Sequence, residues 1–221
     1  MNIFIAGATG YIGRHLVPEL IARGHKVRAL VRASSVSKLP AGAEGVIGDA
    51  LDANTFAHHI GPGDTFIQLV GVPHPSPAKA RQFREIDLVA VRESVRAAAG
   101  AQLRHFIYLS VAQPAPVMKE YIAVRMEGER LLRESGMNAT FVRPFYVLGP
   151  GHWWPYAFLP LFWLFADPRL YPVKLAGVVR AIADAVDRGA DGVRVIEAPE
   201  IRAAGSPARR AATTAPAHPR G

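Results

Sequence analysis

Residues 1–20 read MNIFIAGATGYIGRHLVPEL, and within them Gly7, Gly10 and Gly13 stand three residues apart directly after a short apolar run. A G-x-x-G-x-x-G spacing alone is weak evidence for a ligand. Here it follows a predicted strand, Asn2–Ala6, and opens a predicted helix, Tyr11–Arg23, which is the context a dinucleotide cradle requires. In such a cradle Gly7 allows the sharp turn, Gly10 lets the backbone approach a pyrophosphate, and Gly13 lets the helix pack closely on the sheet. The helix dipole and the free N–H groups of Thr9, Tyr11 and Ile12 then face the phosphates. The competing reading is an ordinary glycine-rich turn.

Outward from this turn, strand and helix patterns alternate, the signature of a parallel sheet covered by helices. Strands are predicted at Lys26–Val31, Gly45–Ile47, Thr65–Val70, His105–Leu109, Ala139–Val142 and Gly192–Ile196. Helices are predicted at Asn54–His59, Ala78–Ala99, Val117–Ser135 and Val173–Asp187. The expected fold is α/β, a Rossmann-type doubly wound, mostly parallel sheet with helices on both faces. Residues 1–200 are expected to form one domain, with a substrate-side segment at about 144–175 and a disordered basic tail over 201–221.

The chain has 221 residues, half of them hydrophobic, ordinary for a globular protein with a full core. It has no cysteine, which excludes disulfides, thiol nucleophiles and cysteine metal sites. The net charge is +8, and half of it comes from four arginines in RAAGSPARRAATTAPAHPRG, residues 202–221. Four charges without interleaved aromatics suit a solvated tail, so no nucleic acid is expected. Apolar residues at strand spacing begin at Ile3, so no signal peptide is expected and the expected location is cytoplasmic. The histidines form no metal pattern. His58 and His59 are adjacent, which suits no closed ligand set, and His74 and His152 are isolated.

The end of the second strand reports cofactor choice. An NAD site usually has an acid there for the ribose 2′-hydroxyl. This chain reads KVRALVRASS over 26–35, with Arg32 in that place. A guanidinium suits a 2′-phosphate, and Ser34 or Ser35 adds hydroxyl donors, so NADP(H) is favoured over NAD(H). The alternative is a solvated surface arginine. Asp49, after the third strand, is placed to meet the adenine; a plain turn aspartate is the other reading.

GATGYIGRHL, the VIGDALD turn (46–52), IYLSVA (107–112), YIAVRMEGERLLRESGMNATFVRPFYVLGPG (121–151) and VIEAPEI (195–201) together resemble the atypical and extended short-chain dehydrogenase/reductases. The likeness is greatest to the group with the nucleotide-binding accessory subunit of respiratory complex I and nitrogen-repressor-type redox sensors, and it covers about residues 1–200. The resemblance implies a Ser-Tyr-Lys set in which Tyr moves the proton, Lys lowers its pKa and binds the nicotinamide ribose, and Ser holds the substrate oxygen. Ser110 matches the serine and Tyr121 the tyrosine; four residues on stands Arg125, not Lys. The i, i+4 spacing keeps both side chains on one helical face. A guanidinium stabilises a tyrosinate but gives up no proton at working pH. The competing reading pairs Arg125 with Glu129 and leaves Tyr121 to pack. The resemblance also implies that Leu69, Val70 and Gly71 line the cofactor and that Pro144, in the Arg-Pro motif, lies beside nicotinamide and substrate.

WWPYAFLPLFWLFA, Trp153–Ala166, has seven aromatics in fourteen residues. It is shorter than the ~20 apolar residues a membrane span needs. Its aromatic area, over ~1,000 Å², has to cover something. An apolar substrate, a partner subunit, a membrane surface and its own core are the options. The expected function is an NADP(H)-dependent oxidoreductase or epimerase/dehydratase-like enzyme acting on an apolar small molecule. The alternative is a non-catalytic NAD(P)-binding redox sensor or assembly scaffold.

Overall fold

Asn2–Ala6 forms strand β1, in which Ile3, Phe4, Ile5 and Ala6 are all fully buried. A strand apolar on both faces needs a layer on each side, and parallel sheets supply it through their crossover helices. A computed structural model describes residues 1–115, 118–150 and 167–206. Its main sheet has seven strands: β1, β2 (Lys26–Val31), β3 (Glu44–Ile47), β4 (Thr65–Gln68), β5 (His105–Leu109), β6 (Ala139–Arg143) and, after a separate two-stranded pair, β9 (Val193–Glu197). The order is β3-β2-β1-β4-β5-β6-β9, and every pairing is parallel. The small pair is β7 (Val147–Leu148) with β8 (Val173–Lys174).

Side-chain alternation along the strands builds two cores. Ile3, Ile5, Ile67, Ile107 and Val142 face α1 (Gly13–Ala22) and the penultimate helix. Phe4, Phe66, Phe106 and Phe141 face the opposite layer, where Phe66 stacks on Phe4 and Phe106 at centroid distances of 5.5 and 4.9 Å. That layer holds α2 (Ala80–Gln82), a π-helical segment (Phe83–Leu88), α3 (Val89–Ala99) and α4 (Lys119–Glu134). The first layer is completed by α5 (Leu175–Arg188) and α6 (Ala198–Ala204).

Several boundaries differ from the sequence reading, each for a local reason. The fourth strand stops at Gln68, because the Val70 N–H turns back to the Gln68 Oε1 at 2.9 Å. The helix read over 78–99 is interrupted by the π-helical turn, which rotates Asp87 into the interior. Asn54–His59 is two 3₁₀ turns, Ala53–Thr55 and Ala57–His59. Val173 and Lys174 belong to β8 rather than to the helix after them. The tail expected from 201 starts too early: Ile201 is fully buried and Ala204 nearly so, on helix α6, which begins at Ala198. A seven-residue helix holds too few apolar repeats to show in the sequence. Trp153–Ala166, His152 and residues 207–221 lie outside the described residues.

Candidate cofactor and active site

The β1–α1 turn is shaped by its three glycines in different ways. Gly7 has φ +96°, and a Cβ there would lie 2.9 Å from the Leu69 carbonyl carbon and 3.0 Å from the Val70 nitrogen. At Gly13 a Cβ would lie 2.3 Å from the Gly7 oxygen and 2.6 Å from that of Ala8. Only a missing side chain permits either approach. Gly10 is exposed, and a Cβ there would meet just the Gly7 oxygen, at 3.2 Å. The turn is closed by Gly10 N–H to Gly7 C=O and Arg14 N–H to Gly10 C=O, both 3.0 Å. The first turn of α1 has no acid, so its positive end is not neutralised locally. Thr9, Tyr11 and Ile12 are half-buried along the lip, and the Tyr11 hydroxyl lies against Gly149, where a Cβ would come within 2.4 Å of it. A bare backbone rim at the positive end of a helix fits the pyrophosphate of a nicotinamide dinucleotide.

Other expected contact residues gather at the same carboxyl edge of the sheet. Arg32 is exposed at the end of β2, with Ser34 exposed and Ser35 half-buried beside it on the 3₁₀ turn Ala33–Lys38. Asp49 follows β3, but its carboxylate accepts the Leu51 N–H at 2.9 Å and its own N–H donates to Thr55 Oγ1 at 2.9 Å. It builds its turn. Leu69 N–H donates to Ala6 C=O at 2.9 Å, which sets the stretch Leu69–Gly71 next to the glycine turn. Pro144 is buried after β6, and its C=O accepts the Ala112 N–H at 3.0 Å.

The Ser-Tyr-Arg set is more dispersed in its commitments. Ser110 is only 2% exposed, and its hydroxyl donates to Glu129 Oε1 at 2.6 Å. A serine has one hydroxyl proton. In this arrangement that proton is directed to Glu129, and Ser110 offers other groups its lone pairs. The same Glu129 oxygen accepts from Gln113 Nε2 at 2.9 Å and Arg143 Nε at 2.8 Å, and Arg143 Nη2 donates to Oε2. Arg143 Nη1 also reaches Glu197 Oε1 at 3.0 Å. Hydrogen bonding to Glu129 holds the Arg143 guanidinium above its ordinary pKa. One buried carboxylate therefore ties together the ends of β5, β6 and β9.

Arg125 is buried, 3% exposed, and pairs neither with Glu129 nor with solvent. Its Nη2 donates to Asp87 Oδ1 at 2.6 Å and its Nη1 to the Leu109 carbonyl at 3.0 Å. The guanidinium carbon stands 5.1 Å from the Tyr121 ring centroid and 5.7 Å from that of Tyr108. The helical spacing thus keeps Arg125 beside Tyr121, as expected. Both of its bonded partners are inside the protein. Burial pushes the Asp87 carboxyl above its ordinary pKa, against the pull of Arg125 and the Val72 N–H. Tyr121 is half-buried, edge-on to Phe83 at 5.1 Å.

The sequence reading missed Asp87 and Gln113, and took Glu129 only as a surface partner for Arg125. For Asp87 no periodic signal exists, because a π turn moves it off the helical register. For Glu129 the i, i+4 relation to Arg125 suggested the wrong partner. Among the described residues, no group of three or more His, Asp or Glu is placed to hold a metal ion. No helix among them is long and apolar enough to cross a membrane.

Comparison with known proteins agrees with this geometry. Residues 7–149 match the model of a family described as NAD(P)H-binding. The chain is similar to a ceramide reductase of Caulobacter vibrioides, 31% identical over 154 residues, covering 67% of this chain and 47% of that one. It is also similar to the photosystem II assembly factor Ycf39 of Cyanophora paradoxa, 26% identical over 151 residues, 65% of this chain and 44% of that one. The chain spans about half the length of the curated relatives it matches. Its fold is like that of the Bordetella bronchiseptica enzyme WbmH solved with NAD+, with TM-score 0.67, 21% identity, and 89% of this chain on 75% of that one. A glycine turn built for a pyrophosphate, a doubly wound parallel sheet and a family match over most of both lead to one conclusion: the chain belongs to the NAD(P)H-binding family of Rossmann-type, short-chain dehydrogenase-like proteins.

Proposed function

We propose that the protein binds NADP(H) in preference to NAD(H) and works as a reductase on an apolar small molecule. The observation that carries this reading is the bare Gly7–Gly13 turn with an exposed, positively charged Arg32 at the end of the adjacent strand, β2, on the same edge. Gly7, Gly10 and the amides of Thr9, Tyr11 and Ile12 would hold the pyrophosphate. Arg32 and Ser34 would hold the 2′-phosphate. A nicotinamide held there would supply the hydride chemistry for reducing a carbonyl. Tyr121 Oη gives its proton to the carbonyl oxygen, and the buried Arg125 cation beside the ring favours the tyrosinate left behind. The name of the ceramide reductase relative and the aromatic composition of Trp153–Ala166 support an apolar substrate.

The test is a fluorescence titration with NADPH and NADH. A charge-assisted contact of ~1.5–3 kcal/mol gives roughly a 10–100-fold preference for NADPH. Arg32→Ala should bring the two affinities close together; an unchanged ratio would sink the Arg32 assignment. Tyr121→Phe should lower turnover on a carbonyl panel by roughly 10²–10⁴-fold with cofactor affinity retained.

A second reading, a nucleotide-bound redox sensor or assembly factor, has its own observation. Ser110 and Arg125 are both engaged by internal carboxylates. Ycf39, a relative, is by its name an assembly factor, which supports this reading. Co-purification with a partner, NADPH binding and no turnover on any carbonyl would select it.

A further inference from the structure

The Asp87–Arg125 pair lies beneath a cofactor-facing loop rather than in front of it. Asp87 Oδ1 receives Arg125 Nη2 at 2.6 Å, while Oδ2 accepts the Val72 N–H at 2.9 Å. Arg125 Nη1 meanwhile holds the Leu109 carbonyl at 3.0 Å. One ion pair thus fastens the segment after β4 to the end of β5. The guanidinium passes so close under Gly71 that a Cβ there would lie 2.3 Å from Nη2 and 3.0 Å from Asp87 Oδ1. On its other side the same segment is met by the glycine turn, where a Cβ on Gly7 would touch the Leu69–Val70 peptide. Residues 69–72 are therefore clamped between the Gly7 turn and a buried ion pair.

A guanidinium reaches its two acceptors in a fixed planar fork, a geometry that the compact lysine ammonium does not reproduce. Both charged side chains are essentially excluded from water, 3% and 0% exposed, so the pair has few alternative positions. Any change in its thickness has to be taken up by the Gly71 backbone and passed to the Gly7 turn, because packed interiors transmit strain.

We propose that Asp87 and Arg125 are positioning residues that set the height of the Leu69–Val72 segment against the Gly7 turn, and so set dinucleotide affinity. In this role Gly71 is glycine to admit the guanidinium, not to admit the cofactor. The inference rests on the cofactor reading above and deepens it.

The test is a double-mutant cycle read by NADPH titration and by thermal melting, with Gly71→Ala, Arg125→Lys and the pair. Gly71→Ala alone should weaken NADPH binding about tenfold by displacing the segment. Arg125→Lys keeps the buried charge pair but removes the planar group under Gly71, and should cost a few-fold. In that background Gly71→Ala should add less than about twofold, a rescue that a generally structural glycine does not show. Gly71→Ala that folds only together with Arg125→Lys supports the proposal equally. Equal losses in both backgrounds, unchanged affinity of Gly71→Ala, or failure of both to fold overturns it. A wild type that binds neither NADPH nor NADH overturns the cofactor reading and this inference with it. A wild type that binds, with additive substitutions, overturns this inference alone.

Discussion

At the end of β1 the chain presents backbone, whereas at the ends of β5 and β6 it presents side chains that already hold one another. The first region is made of glycines, a helix start and an uncompensated positive end. The second is a knot in which Glu129 gathers Ser110, Gln113 and Arg143, beside a separate pair, Asp87 with Arg125. The two sites obey different physics. A backbone cradle is specified by what is absent, and absence of a side chain is local. A side-chain site is specified by partners far away in sequence, and the residue type alone does not say which partner wins.

The comparison breaks first at Glu129. Glu129→Ala leaves the Arg143 charge and the Ser110 hydroxyl facing a gap, and should cost about 3–5 kcal/mol in urea unfolding. A loss near zero would mean that the knot is held by packing. The next effect lies at the other end of the same strand. His105 is fully buried at the amino end of β5, bonded to Thr140 Oγ1 at 2.8 Å, and burial with help from Arg104 and Arg194 lowers its pKa from 6.5 to about 4. The folded state disfavours the imidazolium, so the unfolded state binds the extra proton. This contribution is complete above pH 6.5 and is lost as the pH falls to about 4. It amounts to about 3 kcal/mol. Unfolding free energies of wild type and His105→Gln across that range should differ in slope, and parallel curves would remove His105 as the cause. Smallest in stability is the cradle itself. Gly13→Ala forces a methyl onto the Gly7 and Ala8 carbonyls, about 1–3 kcal/mol of overpacking, and should abolish measurable dinucleotide binding. Retained binding would show that the turn yields where the ion-pair regions do not.

The order of legibility follows from the same distinction. The alternation in the main sheet was readable because most of its strands carry their own apolar pattern, and Gly10 and Gly13 meet their constraints within a few residues, whereas the contact that Gly7 must avoid comes from Leu69 and Val70. Tyr121 and Arg125 were correctly placed on one face because i, i+4 geometry is local. The destination of Arg125 was not, since Asp87 approaches from 38 residues away through a π turn. Likewise Ser110 was recognisable at the end of β5, but the acceptor of its hydroxyl proton, Glu129, stands 19 residues on. Asp49 shows the reverse case: its carboxylate accepts the N–H of Leu51, only two residues along.

The position of β1 has a consequence for how the molecule is assembled. Strand β1, Asn2–Ala6, is central and has neighbours on both sides, β2 nearby and β4 beginning at Thr65. The outermost rung, β6 with β9, joins residue 139 to residue 193. Such pairings close long loops before they return any contact energy, which slows folding relative to chains with local contacts. An emerging chain therefore carries its phosphate-facing turn on a strand whose second edge stays unpaired until β4 is made. During that interval Ile3, Phe4 and Ile5, all fully buried in the folded protein, form an adhesive segment directly before the glycine turn.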